Sequence, residues 1–204
     1  MEKIHVHEQT YHEYLSRIAE LDLPYLAEKL GIQLDGQHVT VPFLGKLYRV
    51  SSLGISDPLN RQPHLSVCVI LCKYLLMCPM IEPLAGNWMS YKDFKDAAPL
   101  IRAFENTVTQ PIAATFSGRQ AALETAGKKC GGYLPADKYP YDFAMQFDAL
   151  PTLSVLLLFN DKDDEFPAQC SVLFEKRAEN YLDMECLAML GMLFCEYLKS
   201  GAGF

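Results

Sequence analysis

Four carboxylates crowd five positions in the stretch Asp161-Lys162-Asp163-Asp164-Glu165. Oxygen ligands at this density suit Mg²⁺ or Ca²⁺, and a divalent ion held there would polarise a substrate or activate water. The stretch is not an EF-hand loop: glycine is missing at its sixth position, and Val172 stands at the twelfth, counted from Asp161. The other reading is a charged hairpin turn that keeps neighbouring strand ends from pairing with another chain.

Cys68, Cys72 and Cys78 follow the pattern C-x3-C-x5-C. Zinc and iron–sulfur sites usually contain a C-x2-C pair, which this sequence lacks, so these thiols read as small apolar side chains of a core helix. His5-x-His7 could pinch a transition metal, yet no third ligand is visible. His7-Glu8 does not extend to H-E-x-x-H, because Tyr11 stands where the second histidine belongs. Cys130 beside Gly131-Gly132 is a weak nucleophile candidate whose pKa Lys128 and Lys129 could lower. No G-x-S-x-G, Walker or G-x-G-x-x-G spacing accompanies it, and the glycines read as a helix stop. Trp88, the single tryptophan, and Tyr91 lie in a loop with Pro83 and Gly86, where aromatics line a pocket, meet a partner or plug the core. Arg49, Arg61 and Arg119 are anion anchors if they face one cleft.

The whole composition narrows these options. The chain has 204 residues, half of them apolar and 21% charged, without linker or repeat, so one domain spanning 1–204 is expected. A net charge of −7 lacks the basic footprint of a nucleic-acid binder or of a protein held on anionic lipid. The apolar run Leu65–Cys78 contains Ser66 and Lys73 and is too short to span a bilayer. The first eight residues carry no signal-peptide core, and seven cysteines is an odd number. A soluble protein in a reducing, cytoplasmic setting is expected.

The elements that must position these residues follow from periodicity. Tyr11, Tyr14, Leu15, Ile18 and Leu21 predict a helix over 8–20. Asp22 caps a second, which contains Pro24 and stops at Gly31. Residues 32–36, 39–41 and 46–50 alternate as strands of a small meander. A core helix over 64–78 ends at Pro79. Another starts near Pro99, with Pro111 expected to end or kink it, and a third runs over 118–129. Strands are expected at 143–147, 153–159 and 171–174, the middle one apolar enough for a central strand covered on both faces. A last helix spans 183–199. Strands grouped with strands give α+β: antiparallel sheet or sheets packed with several helices.

Pro83-Leu84-Ala85-Gly86-Asn87-Trp88-Met89-Ser90-Tyr91, together with Asp163-Asp164-Glu165-Phe166-Pro167 and Tyr181-Leu182-Asp183-Met184-Glu185, resembles an uncharacterised prokaryotic domain family of unknown function. In some relatives that domain follows an iron–sulfur cluster segment, in a setting of anaerobic corrinoid and one-carbon metabolism. The sequence here has no such segment. The resemblance supplies no catalytic residues, and it implies that Trp88, Asp164, Glu165 and Glu185 share a structural or binding feature. No motif assigns a cofactor. The leading expectation is therefore a non-catalytic accessory module that docks an iron–sulfur or corrinoid protein through Trp88, Tyr91, Asp163, Asp164, Glu165 and Glu185. Its rivals are a divalent-metal enzyme built on 161–165 and a small-molecule sensor with a pocket between sheet and helices.

Overall fold

The computed structural model describes the backbone of residues 2–203 and the side chains of residues 9–203. Helix α1 (Glu2–Ile18) buries Tyr11, Leu15 and Ile18, the spacing its sequence sets. Helix α2 (Leu23–Leu30) is closed by its boundary residues. The Asp22 carboxylate accepts from Tyr25 N at 3.0 Å, and Gly31 turns the chain out at φ 63°.

Strands β1 (Gln33–Asp35), β2 (His38–Phe43), β3 (Lys46–Ser51) and β4 (Gly54–Ser56) form an antiparallel meander in that order. The sequence predicts only the first three, because three residues are too few to show a period in β4. Leu44 and Gly45, between paired Phe43 and Lys46, both take positive φ, as primed hairpin turns require. Helix α3 (Leu65–Leu76) is a core helix, burying Val67, Cys68, Ile70, Leu71, Cys72, Tyr74 and Leu75 and packing on α1.

Beyond α3 one expectation needs correction, and another narrows to one of its alternatives. The Trp88 segment is not a loop: β5 (Trp88–Ser90) is a short edge strand of the second sheet. Pro111 does not end its helix. The run passes from α4 (Ile101–Phe104) through a π turn (Glu105–Thr109) into α5 (Gln110–Phe116). Proline lacks an N–H and crowds the carbonyl four residues back, and the ladder widens just ahead of it before resuming.

After α6 (Gln120–Lys129) come β6 (Phe143–Leu150), β7 (Leu153–Asn160) and β8 (Gln169–Glu175), then α7 (Met184–Gly201). The second sheet is antiparallel in the order β5-β8-β7-β6. In β7, Val155 through Phe159 are all buried, so both faces of this central strand are covered. Helix α7 packs on α3, α6 and the π turn. A Cβ at Gly191 would fall 2.5 Å from the Phe104 ring, so the missing side chain sets how closely α7 approaches. Leu44 N donates to Ala149 O at 3.0 Å and ties the sheets together, and one buried core draws on both. The fold is α+β. Among the described residues no helix is long and apolar enough to cross a membrane.

Candidate functional site: an anchored apolar loop

Pro79 stops the chain after α3, and residues 79–87 cross to β5 with their apolar side chains in solvent. Met80, Ile81 and Leu84 are 83%, 85% and 88% exposed. Their backbone is nevertheless fixed. Lys29 Nζ donates to the carbonyls of Pro79 and of Met80, the latter at 2.7 Å. Asn87 O accepts from Lys176 N at 2.6 Å. Glu175, only 5% exposed, accepts from Gly86 N (3.2 Å) on one oxygen, and from Ser154 N (3.0 Å) and Arg177 Nη2 (3.1 Å) on the other. Arg177 Nη1 reaches Glu82 at 3.3 Å. Two prolines leave this segment unable to join a helix or strand, and buried charge holds it in place.

Trp88 opens β5 opposite Glu175 and is half-buried. Tyr91 is a core residue. It is 2% exposed, stacks on Phe104 at 4.4 Å and 4°, and donates to Met184 O at 2.8 Å. Burial pushes its phenol up to about 12, so it stays protonated. Glu185 is exposed in the first turn of α7, where a carboxylate suits the helix dipole. Its neighbour Asp183 caps that helix through Cys186 N (2.9 Å) and pairs with Lys73 (2.8 Å).

The acidic stretch is spent differently. Asp163 accepts from Glu165 N (2.8 Å) and Phe166 N (2.6 Å), and its own N–H returns to Phe166 O (3.0 Å). These bonds hold its carboxyl below the usual range. Asp161 accepts from Gly118 N at 2.6 Å and Lys162 N at 2.7 Å. Asp164 and Glu165 are exposed. Among the described residues no group of three His, Cys, Asp or Glu could hold a metal ion. The stretch also lies at the far end of β8 from Trp88, about 20 Å away over seven residues. Trp88, Tyr91 and Glu185 thus belong to one end of the molecule, and Asp163, Asp164 and Glu165 to the other.

The remaining candidates are equally occupied. Burial raises Cys68 to about 11 and Cys72 to about 12, and Cys78, Cys130, Cys170, Cys186 and Cys195 are raised too. Thiols kept protonated are poor nucleophiles. At Cys130 the opposing pull comes from Lys46, not from the adjacent lysines: Lys128 pairs with Glu124, and Lys129 donates to Gly201 O. Arg61 is held by Asp57, Arg119 donates to Thr115 O, and Arg49 lines a separate recess. The His5-x-His7 pair lies outside the residues whose side chains are described.

Comparison with known proteins bears on the same segments. A family model described as "Domain of unknown function (DUF3786)" matches residues 22–197. The chain belongs to this family. The DUF3786 match opens on Asp22, the cap of α2, and closes at Tyr197 in α7. It therefore takes in both sheets, the anchored loop and the acidic turn, and leaves α1 outside. No curated protein and no solved structure matches the chain.

The sequence reasoning missed Met80, Ile81 and Leu84. Their signal was present: three large apolar residues spaced among Pro79 and Pro83, where no regular element can bury them.

Proposed function

We propose that this protein is a non-catalytic binding module, and that its partner-facing element is the anchored loop with Trp88 beside it. One observation carries the reading. Met80, Ile81 and Leu84 are almost wholly exposed on a backbone fixed by Lys29, Glu175, Lys176 and Arg177. Exposed apolar side chains on a rigid scaffold lower the ordering cost of association, and such side chains in clusters mark contact surfaces. The partner class, an iron–sulfur or corrinoid protein, comes from the family resemblance. The acidic turn drops out of the docking face, because it sits at the other end of β8.

The test is co-purification under anaerobic conditions with wild-type, Ile81→Asp and Trp88→Ala chains. Recovery of a chain carrying iron and sulfide, or cobalt, that Ile81→Asp abolishes and Trp88→Ala weakens supports the reading. Recovery that ignores Ile81→Asp, or a recovered chain with neither cofactor, counts against it.

A further inference from the structure

A second region, independent of the anchored loop, has the make-up of a ligand site. A recess of about 610 Å³ opens between β3, the loop after β4, the start of α3 and the end of α7. That volume is in the range that holds a small organic molecule. Leu59, Pro63 and Val67 give it apolar walls. Its polar groups converge from four places in the fold. Lys46 Nζ sits 3.9 Å from the centre of the Tyr197 ring, and among the described residues no carboxylate forms an ion pair with it. The hydroxyls of Tyr48 and Tyr197 are 3.5 Å apart, at the outer limit of a hydrogen bond, which leaves both O–H groups able to serve one acceptor placed between them. His64 accepts from Ser66 N at 3.3 Å through Nδ1, so the neutral ring carries its proton on Nε2.

The charge count narrows the ligand. Arg61 donates to a single oxygen of Asp57, Oδ2, through Nε at 2.9 Å and Nη2 at 2.8 Å, and the two charges cancel. Lys46 then leaves the recess one positive charge on a chain whose net charge is −7. Tyr48 is buried and keeps its proton, so it donates and adds no negative charge. We infer that this recess binds a small organic acid, with one negative charge set between Lys46 and the two phenols and an apolar body against Leu59, Pro63 and Val67. A dianion would leave one charge unmatched, and a cation would meet Lys46.

Anilinonaphthalene sulfonate is a suitable probe, because it joins one negative charge to an aromatic body and brightens on leaving water. Its uncharged parent, phenylnaphthylamine, isolates the contribution of the charge. The sulfonate is expected to saturate at one per chain and to bind more tightly than the parent. Lys46→Glu should weaken it about tenfold, the scale of one charge-assisted contact, while Lys46→Arg retains binding. Tyr197→Phe should weaken it less, and Ile81→Asp should leave it unchanged. Lys46 is exposed, so thermal melts of its variants should match the wild type. Absence of saturable binding, equal binding of the uncharged parent, or indifference to Lys46→Glu would overturn the inference. So would displacement of the dye by inorganic phosphate at equal concentration, which would assign the recess to the anion alone. Loss with Ile81→Asp instead would place the dye on the anchored loop and overturn it as well.

Discussion

The two ends of β8 use charged and apolar residues in opposite ways. At the start of the strand, the turn 161–168 looks chemical in sequence, but Asp161 and Asp163 spend their carboxylates on backbone N–H groups of Gly118, Lys162, Glu165 and Phe166. At the strand's other end, Pro83 and Gly86 mark a loop in the sequence, and the placement of Met80, Ile81 and Leu84 is left open. There Glu175 is buried with Arg177 largely covered beside it, and Met80, Ile81 and Leu84 are in solvent. Residue type alone therefore leaves both ends open. What separates them is where the backbone of each segment finds its hydrogen bonds. The tip of the acidic turn is closed from within by Asp163, with Asp161 tied to Gly118 and Asp142, whereas the apolar loop borrows partners from α2, β8 and the turn after it.

Glu175→Ala should have the largest effect on this contrast. It leaves the Arg177 charge with only the exposed Glu82 as partner and the N–H groups of Gly86 and Ser154 without their carboxylate, a loss of about 3 kcal/mol, read by urea unfolding. A loss no larger than that of an exposed residue would mean the corner is not held by buried charge. Lys29→Met should cost about 1 kcal/mol and speed amide exchange at Met80 and Ile81 without affecting the sheet. Exchange that stays slow would show the loop is rigid without its anchor.

At the acidic end the effects are smaller and depend on pH. The carboxyl of Asp163 lies below its ordinary range in the folded chain. Its contribution is therefore present at neutral pH and is lost as pH falls through the depressed folded value. Asp163→Asn should keep the turn and flatten the acid limb of a melting-temperature profile. An unchanged limb would show that other carboxylates set it. Millimolar Mg²⁺ or Ca²⁺ should leave the melting temperature where it is, and a rise would show that the carboxylates prefer an ion to the backbone. The smallest stability change belongs to Ile81→Asp, within about 0.5 kcal/mol, although it removes the central side chain of the docking face.

Much of the frame was legible from local chemistry. Asp22 and Gly31 bound α2, Asp183 caps α7, and the apolar run 153–159 is the central strand, because each signal acts within a few residues. The role of Trp88 was not legible. Its strand exists only through pairing with β8, 87 positions away, and three residues carry no period of their own. Tyr91 likewise looked like a contact residue until Phe104 supplied its stacking partner. The acidic stretch was half legible: its turn character follows from its residue types, but the donors to Asp161 include Gly118, 43 positions earlier. The recess around Tyr48 and Tyr197 joins β3 to α7, and no local pattern connects positions 149 apart.

The strand order β5-β8-β7-β6 also sets a timetable for synthesis. Strands β6, β7 and β8 are consecutive and can close by short turns as they leave the ribosome. β5 cannot: Gly86 waits for Glu175, and Glu82 for Arg177, roughly 90 residues later in each case. At about 5–20 residues per second, Met80, Ile81 and Leu84 spend some 4–18 s outside the ribosome before Glu175 and Arg177 have been made. The surface proposed to meet a partner is thus one the nascent chain holds in unfinished form while about 90 further residues are made, and a chaperone binding these residues would engage before the partner could.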